Sequence, residues 1–339
     1  MQSAQAHGLQ TFKASDSWVY NFKKRYGITS RKITFITTKK KMDYTAEIMA
    51  QAEMFVQDIK NEIEVLGPQH VFNSDQSGFN LEMWNGRTLA FKGEKSVSTV
   101  VQSIGSTTHS YTIMPTMSAD GDLLSPLLIV LKENNGVFGP RVKESLFSHE
   151  NIEVTCTKSG KMGNVQVQEW IDKTVRPTLP EGENRILLDS FSGHKRVTLP
   201  VGVQVRTIPA GATGVCQPWD VYGFRIWKSF FRRLSNGLRM LEIGIELRHR
   251  NTILKLQSLT HFQLLSPRFK KMWKYSWYRS GYLDENPGKF EHPVKFCLDE
   301  IGSSCSLCPS KSIGFLRCAW CKNTLCVAHF FHEHHYCKE

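Results

Sequence analysis

The stretch Arg185-Ile-Leu-Leu-Asp189 decides the fold class of this chain. Three consecutive branched apolar residues with an acid directly after them are typical of a central strand that is buried on both faces. Val71-Phe-Asn-Ser-Asp75 is a second run that ends in an acid, and Val203-Gln-Val-Arg-Thr-Ile-Pro209 is a third strand-like run. Helical patterns lie between these runs. The sequence therefore predicts an α/β fold with a mixed sheet and flanking helices.

A third acid lies where the last of these runs leads into a helix. The chain passes through a glycine-rich turn to Gln217-Pro218-Trp219-Asp220. The helix that follows has one apolar and one basic face at helical spacing. The apolar face is expected to pack on the core and the basic face to contact phosphates; they consist of Phe224, Trp227 and Phe231, and of Arg225, Lys228, Arg232 and Arg233.

The three acids are the candidate catalytic residues. A single aspartate at a strand end or helix start is weak evidence, because Asp also caps helices there. Asp75, Asp189 and Asp220 together are expected to converge on one point, where unpaired carboxylates repel each other. Two divalent cations about 3.5–4 Å apart would remove that cost and supply the catalyst. Mg²⁺ or Mn²⁺ suits such oxygen ligands.

In combination, these phrases resemble a known signature. Asn73-Ser-Asp75, Leu187-Leu-Asp189 and Gln217-Pro218-Trp-Asp220 look like the DDD motif of pogo transposases in the mariner superfamily. The second and third acids are separated by 30 residues, a spacing typical of that branch. The resemblance implies an RNase H-like fold whose aspartates bind two Mg²⁺ or Mn²⁺ ions, cut DNA and join transposon ends to a target.

Three neighbours of the acids have candidate supporting roles. The family usually has Glu where this chain has Gln76. His194 matches the family pattern, and it is expected to orient Asp189 or contact a phosphate, with a purely structural histidine as the alternative. Gln217 is expected to shape the turn before Asp220, or to support the acids.

The N-terminal segment is basic. Residues 1–43 hold nine basic and two acidic side chains, in a chain of formal net charge +12. This excess favours a nucleic-acid partner, and a well-solvated surface is the alternative. Trp18, Phe22 and Tyr26 recur on one face of a predicted helix that Ser15 caps and Gly27 ends. The predicted DNA contacts are Lys23, Lys24, Arg25, Arg31 and Lys32.

This segment resembles the last half of the centromere-protein-B type helix-turn-helix domain of pogo transposases. The resemblance rests on Phe12, Ala14, Ser15, Trp18 and the run Phe22-Lys23-Lys24-Arg25. The upstream helices of that pattern are missing, so a partial DNA-binding domain and an N-terminally truncated chain are expected. Such a remnant is expected to bind DNA with weak sequence preference.

The C-terminal segment carries a dense set of metal-binding side chains. Six of the nine cysteines lie between Cys305 and Cys337, together with four histidines. In a chain with no secretion signal, this clustering favours zinc over disulfides. Two Cys-x₂-Cys pairs, a Cys-x₂-His pair and a terminal His/Cys pair supply eight ligands, enough for two tetrahedral Zn²⁺ sites.

The ligand pattern resembles the cross-brace zinc domain of piggyBac transposases. The resemblance implies that one ion is shared by Cys305, Cys308, Cys326 and His329. The other is shared by Cys318, Cys321, Cys337 and either His334 or His335, of which His334 is preferred for its spacing to Cys337. So short a segment buries little apolar surface, so zinc removal is expected to unfold it and leave the core standing.

The sequence thus divides into four segments. Residues 1–45 are a partial helix-turn-helix segment, and 65–240 are the RNase H-like catalytic domain. Residues 241–300 are a helical extension and linker that includes a helix from Leu238 to Arg250, and 301–339 are the zinc-binding module. The longest apolar stretch, Leu123 to Leu131, is too short to span a bilayer.

The functional prediction is a nuclear DNA transposase that acts as a homo-oligomer on transposon ends and target DNA, without a membrane partner. Two alternatives remain at this point. A domesticated DNA-binding or chromatin protein without nuclease activity is favoured by the incomplete N-terminal domain, and the retention of all three aspartates opposes it. A host RNase H-type nuclease would account for the acids and not for the helix-turn-helix remnant.

Overall fold

The structure is a computed structural model that describes residues 15–28, 45–80, 109–241, 245–308 and 312–337. The chain divides into two compact units, Met1–Ala46 and Glu47–Glu339. Each unit is described by itself.

The first unit contains helix α1, Asp16–Arg25. The Ser15 side chain accepts a hydrogen bond from the Trp18 N–H at 3.2 Å, so the predicted cap is confirmed. Gly27 has the left-handed φ of 63° that ends a helix, also as predicted. Phe22 stacks on Trp18 and contacts Tyr26, with ring centroids 4.9 and 4.7 Å apart. The aromatic residues therefore share one face.

In the described residues of the second unit, eight strands form the main sheets. Their bounds are β1 Val71–Ser74, β2 Ser77–Asn80, β3 His109–Met114, β4 Thr116–Ser118, β5 Leu127–Lys132, β6 Ile152–Thr157, β7 Asn184–Leu188 and β8 Val203–Thr207. They form two sheets, of order β4-β1-β7-β8 and β2-β3-β5-β6. Only Asp75 and Gln76 separate β1 from β2, and only Pro115 separates β3 from β4. The two sheets therefore continue into each other through two long, interrupted strands.

Strand directions identify the topology. β5 pairs with β3 and β3 with β2 in antiparallel fashion, as β4 does with β1. β1 pairs with β7 and β7 with β8 in parallel fashion. Three antiparallel strands followed by two parallel ones make the RNase H-like arrangement that was predicted. β6 adds a further strand parallel to β5.

Both faces of this sheet are buried, which explains the unbroken apolar run in β7. Ile186 and Leu188 pack with Trp170 in one hydrophobic cluster, whereas Leu187 packs in the other. Successive side chains of a strand point to opposite faces, so a strand that is covered on both sides needs apolar residues at every position.

Helices cover both faces. Their bounds are α2 Thr45–Leu66, α3 Pro140–Ser145, α4 Asn164–Trp170, α5 Arg176–Thr178, α6 Thr213–Cys216, α7 Phe224–Leu241, α8 Arg250–Leu264 and α9 Lys270–Arg279. A π-helical turn, Ile171–Val175, joins α4 to α5, and another, Trp219–Gly223, precedes α7. The predicted apolar face of α7 is confirmed, because Phe224, Trp227 and Phe231 are all buried.

Helix α2 was not predicted from the sequence. It packs Ala52, Ile59 and Ile63 against the core. Its Glu62 carboxylate lies 2.9 Å from Arg185 of β7 and 2.8 Å from Arg206 of β8. The helix is thereby joined to both parallel strands.

The segment after α7 belongs to the core. The predicted helix from Leu238 to Arg250 is wrong, because α7 ends at Leu241 and α8 begins at Arg250. Nearly all of α8 is buried, including the polar side chains of Gln257 and Gln263. The sequence predicts a helical extension and linker over residues 241–300, whereas α8 is part of the hydrophobic core. A helix that is enclosed on most sides shows little amphipathic pattern, which hides it from periodicity analysis.

The Cys/His module packs directly on α8. Its strands β9 and β10, Leu316–Arg317 and Thr324–Leu325, form an antiparallel pair. The Ala319 N–H donates to Gln263 Oε1 at 2.6 Å, and the Trp320 indole donates to the Phe262 carbonyl at 2.7 Å. Leu316, Leu325 and Phe330 belong to the same hydrophobic cluster as the sheet. The module is part of this core.

Within the described ranges, no helix combines the length and apolar character that a membrane span requires.

This packing changes the expected effect of metal removal. Because the module shares a hydrophobic core with α8, we expect chelation to destabilise the whole unit of residues 47–339. The melting temperature should fall by at least about 10 °C in a single transition. Circular dichroism of protein in metal-free buffer, with and without chelator, measures this, and adding Zn²⁺ back is the control. Two transitions, with the upper one unchanged, would show that the module unfolds alone.

Candidate active site and metal centres

The parallel strands place two of the three acids side by side. Asn73 of β1 is in register with Leu187 of β7. Asp75 and Asp189 each lie two residues beyond this pair, at the carboxyl ends of their strands. Asp220 comes from the π-helical turn Trp219–Gly223 in front of α7. Such turns often occur where a helix must offer a side chain at a functional site.

Two of the three carboxylates, Asp75 and Asp220, have a pKa that is raised by burial and further by the charge of a neighbouring acid. Burial raises the pKa of Asp75 well above its usual value, and the charges of Asp220 and Asp189 raise it further. Burial also raises the pKa of Asp220, with the charge of Asp189 adding to the effect. A hydrogen bond with Thr213 and the charge of Lys228 oppose this rise. This electrostatic cost is expected where carboxylates converge without a cation.

Asp189 differs because a histidine is hydrogen-bonded to it. His194 Nδ1 lies 3.2 Å from Asp189 Oδ1, and His194 Nε2 lies 3.3 Å from the side-chain nitrogen of Gln76. An amide nitrogen only donates, so Nε2 accepts and Nδ1 is the donor; Nδ1 lies 3.2 Å from the Asp189 carbonyl oxygen, its hydrogen-bond partner, and at the same distance from the carboxylate. Burial raises the pKa of Asp189, but His194 and the Phe191 N–H together lower it below its usual value.

Gln217 is fully buried beside these acids. Its side chain is near enough to Asp75 to lower the pKa of that carboxyl. In the described part of the chain, neither its amide nitrogen nor its amide oxygen has a partner with good hydrogen-bond geometry. A buried amide without partners is costly, so this group is available to a ligand.

Lys228 of α7 lies at the same site. Its ammonium group is 5.4 Å from the ring centroid of Phe79 and 5.7 Å from that of Phe224. Burial lowers its pKa, whereas the charges of Asp220 and Asp75 raise it. Arg232 is close enough to Lys228 for its charge to lower the pKa of that lysine, whereas Arg233 is 2.5 Å from Asp299 and Arg225 is exposed.

Two Cys/His clusters form in the C-terminal module. In the first, the ligand atoms of Cys305, Cys308, Cys326 and His329 all lie within 4.8 Å of one another. Measured pairs are 3.2 Å for Cys326 Sγ to His329 Nδ1 and 3.6 Å for Cys308 Sγ to Cys326 Sγ. Tetrahedral Zn²⁺ with bonds of about 2.0–2.3 Å would hold such atoms about 3.5–3.8 Å apart. The first cluster has the residues that the sequence predicts.

The second cluster corrects one ligand. It contains Cys318, Cys321, His335 and Cys337, so the choice of His334 is wrong. His335 Nε2 lies 3.4 Å from Cys321 Sγ. His334 adopts a left-handed φ of 55°, and its Nε2 lies 2.9 Å from the Ser258 hydroxyl. Ligand spacing along the sequence does not reveal this reversal of the backbone.

The predicted DNA contacts are only partly described. Lys23, Lys24 and Arg25 lie in the last turn of α1 and are exposed. Arg31 and Lys32 lie outside the described residues.

Three family models match this chain in consecutive order. The Tc5 transposase DNA-binding domain matches residues 2–32, and the DDE superfamily endonuclease matches residues 108–263. The Tc5 transposase C-terminal domain matches residues 277–337. The chain belongs to the DDE transposases. The model for the C-terminal module is thus the Tc5 one, whereas the sequence resemblance was to piggyBac.

Solved structures similar to this transposase include complexes of Mos1 transposase. The paired-end complex with the left transposon end is 10% identical, covers 84% of this chain and 76% of that chain, and has a TM-score of 0.39. The match to the strand transfer complex is 10% identical, covers 80% of this chain and 71% of that chain, and has a TM-score of 0.41. The assignment to DDE transposases therefore rests on the family models and on the topology.

The sequence did not predict functional roles for Asn73 and Trp219. The structure shows that Asn73 is hydrogen-bonded to Trp219 and to Leu187, in the segments that carry Asp220 and Asp189. Asn73 is fully buried in a strand, and Trp219 is fully buried beside Asp220. A polar side chain within an otherwise apolar strand is a usable signal, because burying it requires hydrogen-bond partners.

The two histidines of the second cluster offer a matched test. We expect His335→Ala to reduce the zinc content of the purified transposase from two Zn²⁺ per chain to about one, because a tetrahedral site loses a ligand. His334→Ala should keep both ions, since that ring is bonded to Ser258 instead. Elemental analysis together with native mass spectrometry measures the ratio. Loss of an ion from the His334 variant alone would reverse the assignment.

The acids differ in their effect on the metal-free fold. The pKa of Asp75 is raised, so its ionised form destabilises the fold as pH rises from its unfolded pKa through its folded pKa. The pKa of Asp189 is lowered, so it stabilises the fold above its unfolded pKa and loses that effect as pH falls through its folded pKa. At pH 7 without metal, we expect Asp75→Asn to raise the melting temperature and Asp189→Asn to lower it. Equal shifts for the two variants would contradict this contrast.

Proposed function

We propose that Asp75, Asp189 and Asp220 are the catalytic carboxylates of this transposase and that they bind two divalent cations, Mg²⁺ or Mn²⁺. The observation that carries the proposal is that burial raises the pKa of both Asp75 and Asp220 and that the charge of Asp189 raises both further, so the three acids meet at one site. A fold tolerates such repulsion where a bound ion offsets it.

The donor set fits these ions. All three side chains offer carboxylate oxygens, which hard cations prefer. Among the described residues, only the Cys/His clusters have all their ligand atoms within 4.8 Å of one another. The wider spacing of the acids suits a shared pair of ions about 3.5–4 Å apart. When bound, the ions would activate the attacking water or 3′-hydroxyl and stabilise the leaving 3′ oxygen.

The surrounding residues complete the site. His194 donates to Asp189 and thereby holds that carboxylate ionised and in one orientation. The unpartnered amide of Gln217 is placed to hydrogen-bond the attacking hydroxyl or a phosphate oxygen. The Lys228 ammonium group, next to Asp220 and Asp75, would bind a non-bridging oxygen of the scissile phosphate. Each of these groups orients substrate or acid without itself changing covalently.

The substrate is DNA at transposon ends, and then target DNA. Cleavage leaves a 3′-hydroxyl that attacks a target phosphodiester, so each step exchanges one phosphoester bond for another. The exposed Lys23, Lys24 and Arg25 of α1 would contact phosphates. An element has two ends, and each needs an active site, so we propose a homo-oligomer. Because its substrate would be chromosomal DNA, we propose a nuclear location.

We further propose that the Cys/His clusters bind Zn²⁺, one ion each. Four sulfur and nitrogen atoms in tetrahedral reach are typical of closed structural sites. Burial raises the pKa of Cys305, but the backbone N–H groups of Leu307, Cys326 and Cys308 lower it to about 6. A thiol that ionises below neutral pH is a thiolate at pH 7, and the thiolate is the form that binds a metal. The ions would stabilise the module against α8.

The test is nicking of supercoiled plasmid in Mn²⁺. We expect Asn in place of Asp75, Asp189 or Asp220 to reduce the rate at least about 10³-fold, because each substitution removes a ligand of the reacting centre. Asp172→Asn is the control, since this exposed carboxylate lies in the turn Ile171–Val175 and pairs with Arg176. Its rate should stay within about twofold of wild type.

A variant that retains a tenth of the wild-type rate would remove that residue from the triad. A folded wild-type protein that does not nick DNA, yet binds it, would favour the domesticated DNA-binding alternative.

A further inference from the structure

Asn73 lies at the centre of the three acid-bearing segments. Its side chain is fully buried in β1, two residues before Asp75. The side-chain amide nitrogen donates to the Leu187 carbonyl at 3.0 Å, and the side-chain oxygen accepts from the Trp219 N–H at 3.1 Å. The Trp219 indole in turn donates to the Asn73 carbonyl at 3.0 Å.

Each of these contacts lies next to an acid. Leu187 is two residues before Asp189, and Trp219 directly precedes Asp220. One residue is therefore hydrogen-bonded to the backbone beside the second and the third acid while its own strand carries the first. Its partner residue Trp219 is 146 positions away in sequence. The backbone of β1 and β7 needs no such help, because the ladder between the strands already fixes their register.

The third acid is in a different position. Asp220 lies in a π-helical turn outside the sheet, so strand pairing does not determine its distance from Asp75 and Asp189. The Asn73 side chain and the Trp219 indole provide that determination. The Trp219 ring also packs against Trp227 and Trp273, with centroids 6.0 and 5.5 Å away, so the turn has little freedom once these bonds form.

Burying an amide at this position costs free energy unless its hydrogen bonds are satisfied, so an apolar residue would be the simpler choice for packing alone. An apolar side chain would satisfy the packing of a strand whose neighbours Val71 and Phe72 are apolar and buried. An apolar residue would leave the Trp219 N–H without a partner, and it would free the turn to move relative to the sheet.

We propose that Asn73 is a positioning residue, which sets the distance of Asp220 from Asp75 and Asp189 and thereby the affinity of the site for divalent cations. The inference rests on the proposed role of these acids. Its effect runs through the backbone beside the acids, in the way that outer hydrogen bonds orient the ligands of a metal.

The experiment compares two buried asparagines that lie near opposite ends of the parallel strand pair. Asn184, at the start of β7, donates to the Pro180 and Gly182 carbonyls, at the end of the strand away from the acids. Asn73→Leu and Asn184→Leu each replace an amide with an apolar group of similar size. Mn²⁺ affinity of the full chain is measured by electron paramagnetic resonance of free Mn²⁺, and the metal-free melting temperature by circular dichroism.

Both variants should lose thermal stability, because each leaves buried backbone groups unpaired. Only Asn73→Leu should weaken Mn²⁺ binding, by about 10-fold or more. Equal Mn²⁺ affinity of the two variants would overturn the proposal. If Asn73→Leu does not fold, Asn73→Ala decides, since it removes both side-chain hydrogen bonds of Asn73 without adding bulk: a Mn²⁺ affinity weakened about tenfold supports the proposal, and unchanged affinity overturns it.

Asp189→Asn distinguishes failure of the inference from failure of the proposed function. If this variant binds Mn²⁺ as tightly as wild type, the acids are not the metal site and both proposals fall. If it loses Mn²⁺ and Asn73→Leu does not, only the role of Asn73 is overturned.

Discussion

The parallel pairing of β1 with β7 is the constraint on which the rest of this structure depends. Its register places Asp75 and Asp189 side by side at one edge of the sheet. A ladder of backbone hydrogen bonds holds the strands about 4.8 Å apart, so the backbone cannot relieve the repulsion between the two carboxylates. The surroundings answer that repulsion differently for each acid. A hydrogen bond with His194 favours the ionised form of Asp189, whereas burial and the charges of Asp220 and Asp189 raise the pKa of Asp75.

Helix α8 links this edge to the Cys/His module. On one side, Gln257 accepts a hydrogen bond from the Trp227 indole of α7 at 3.1 Å and donates to the Tyr111 hydroxyl of β3 at 2.9 Å. On the other side, Gln263 accepts from the Ala319 N–H within the second cluster. The polar side chains of a buried helix thus connect the Cys/His module to the helix that follows Asp220. The module supports the catalytic domain through the core that they share.

Much of this was accessible from the sequence, and for identifiable reasons. The run Ile186-Leu187-Leu188 predicted a strand that is covered on both faces, because only such a strand needs apolar residues at every position. The aromatic spacing of α7 predicted its buried face, and Ser15 predicted the start of α1. These are local properties. Helix α2 carries a similar local signal in the spacing of Ala52, Ile59 and Ile63, although no functional motif marks this segment.

By itself, the sequence determined the strands β1, β7 and β8, the acids that follow β1 and β7, the Cys/His content of the C-terminal module and the membership of the DDE transposases, since these depend on composition and spacing along the chain. Only the tertiary structure decided which ligands meet. His335 takes the place expected for His334 because one left-handed residue turns the backbone. It also decided that the Cys/His module shares the core of α8. It decided, too, that Asn73 is hydrogen-bonded to the two segments that carry Asp189 and Asp220. Contacts between residues 146 positions apart arise from how surfaces pack, and no local pattern encodes that packing.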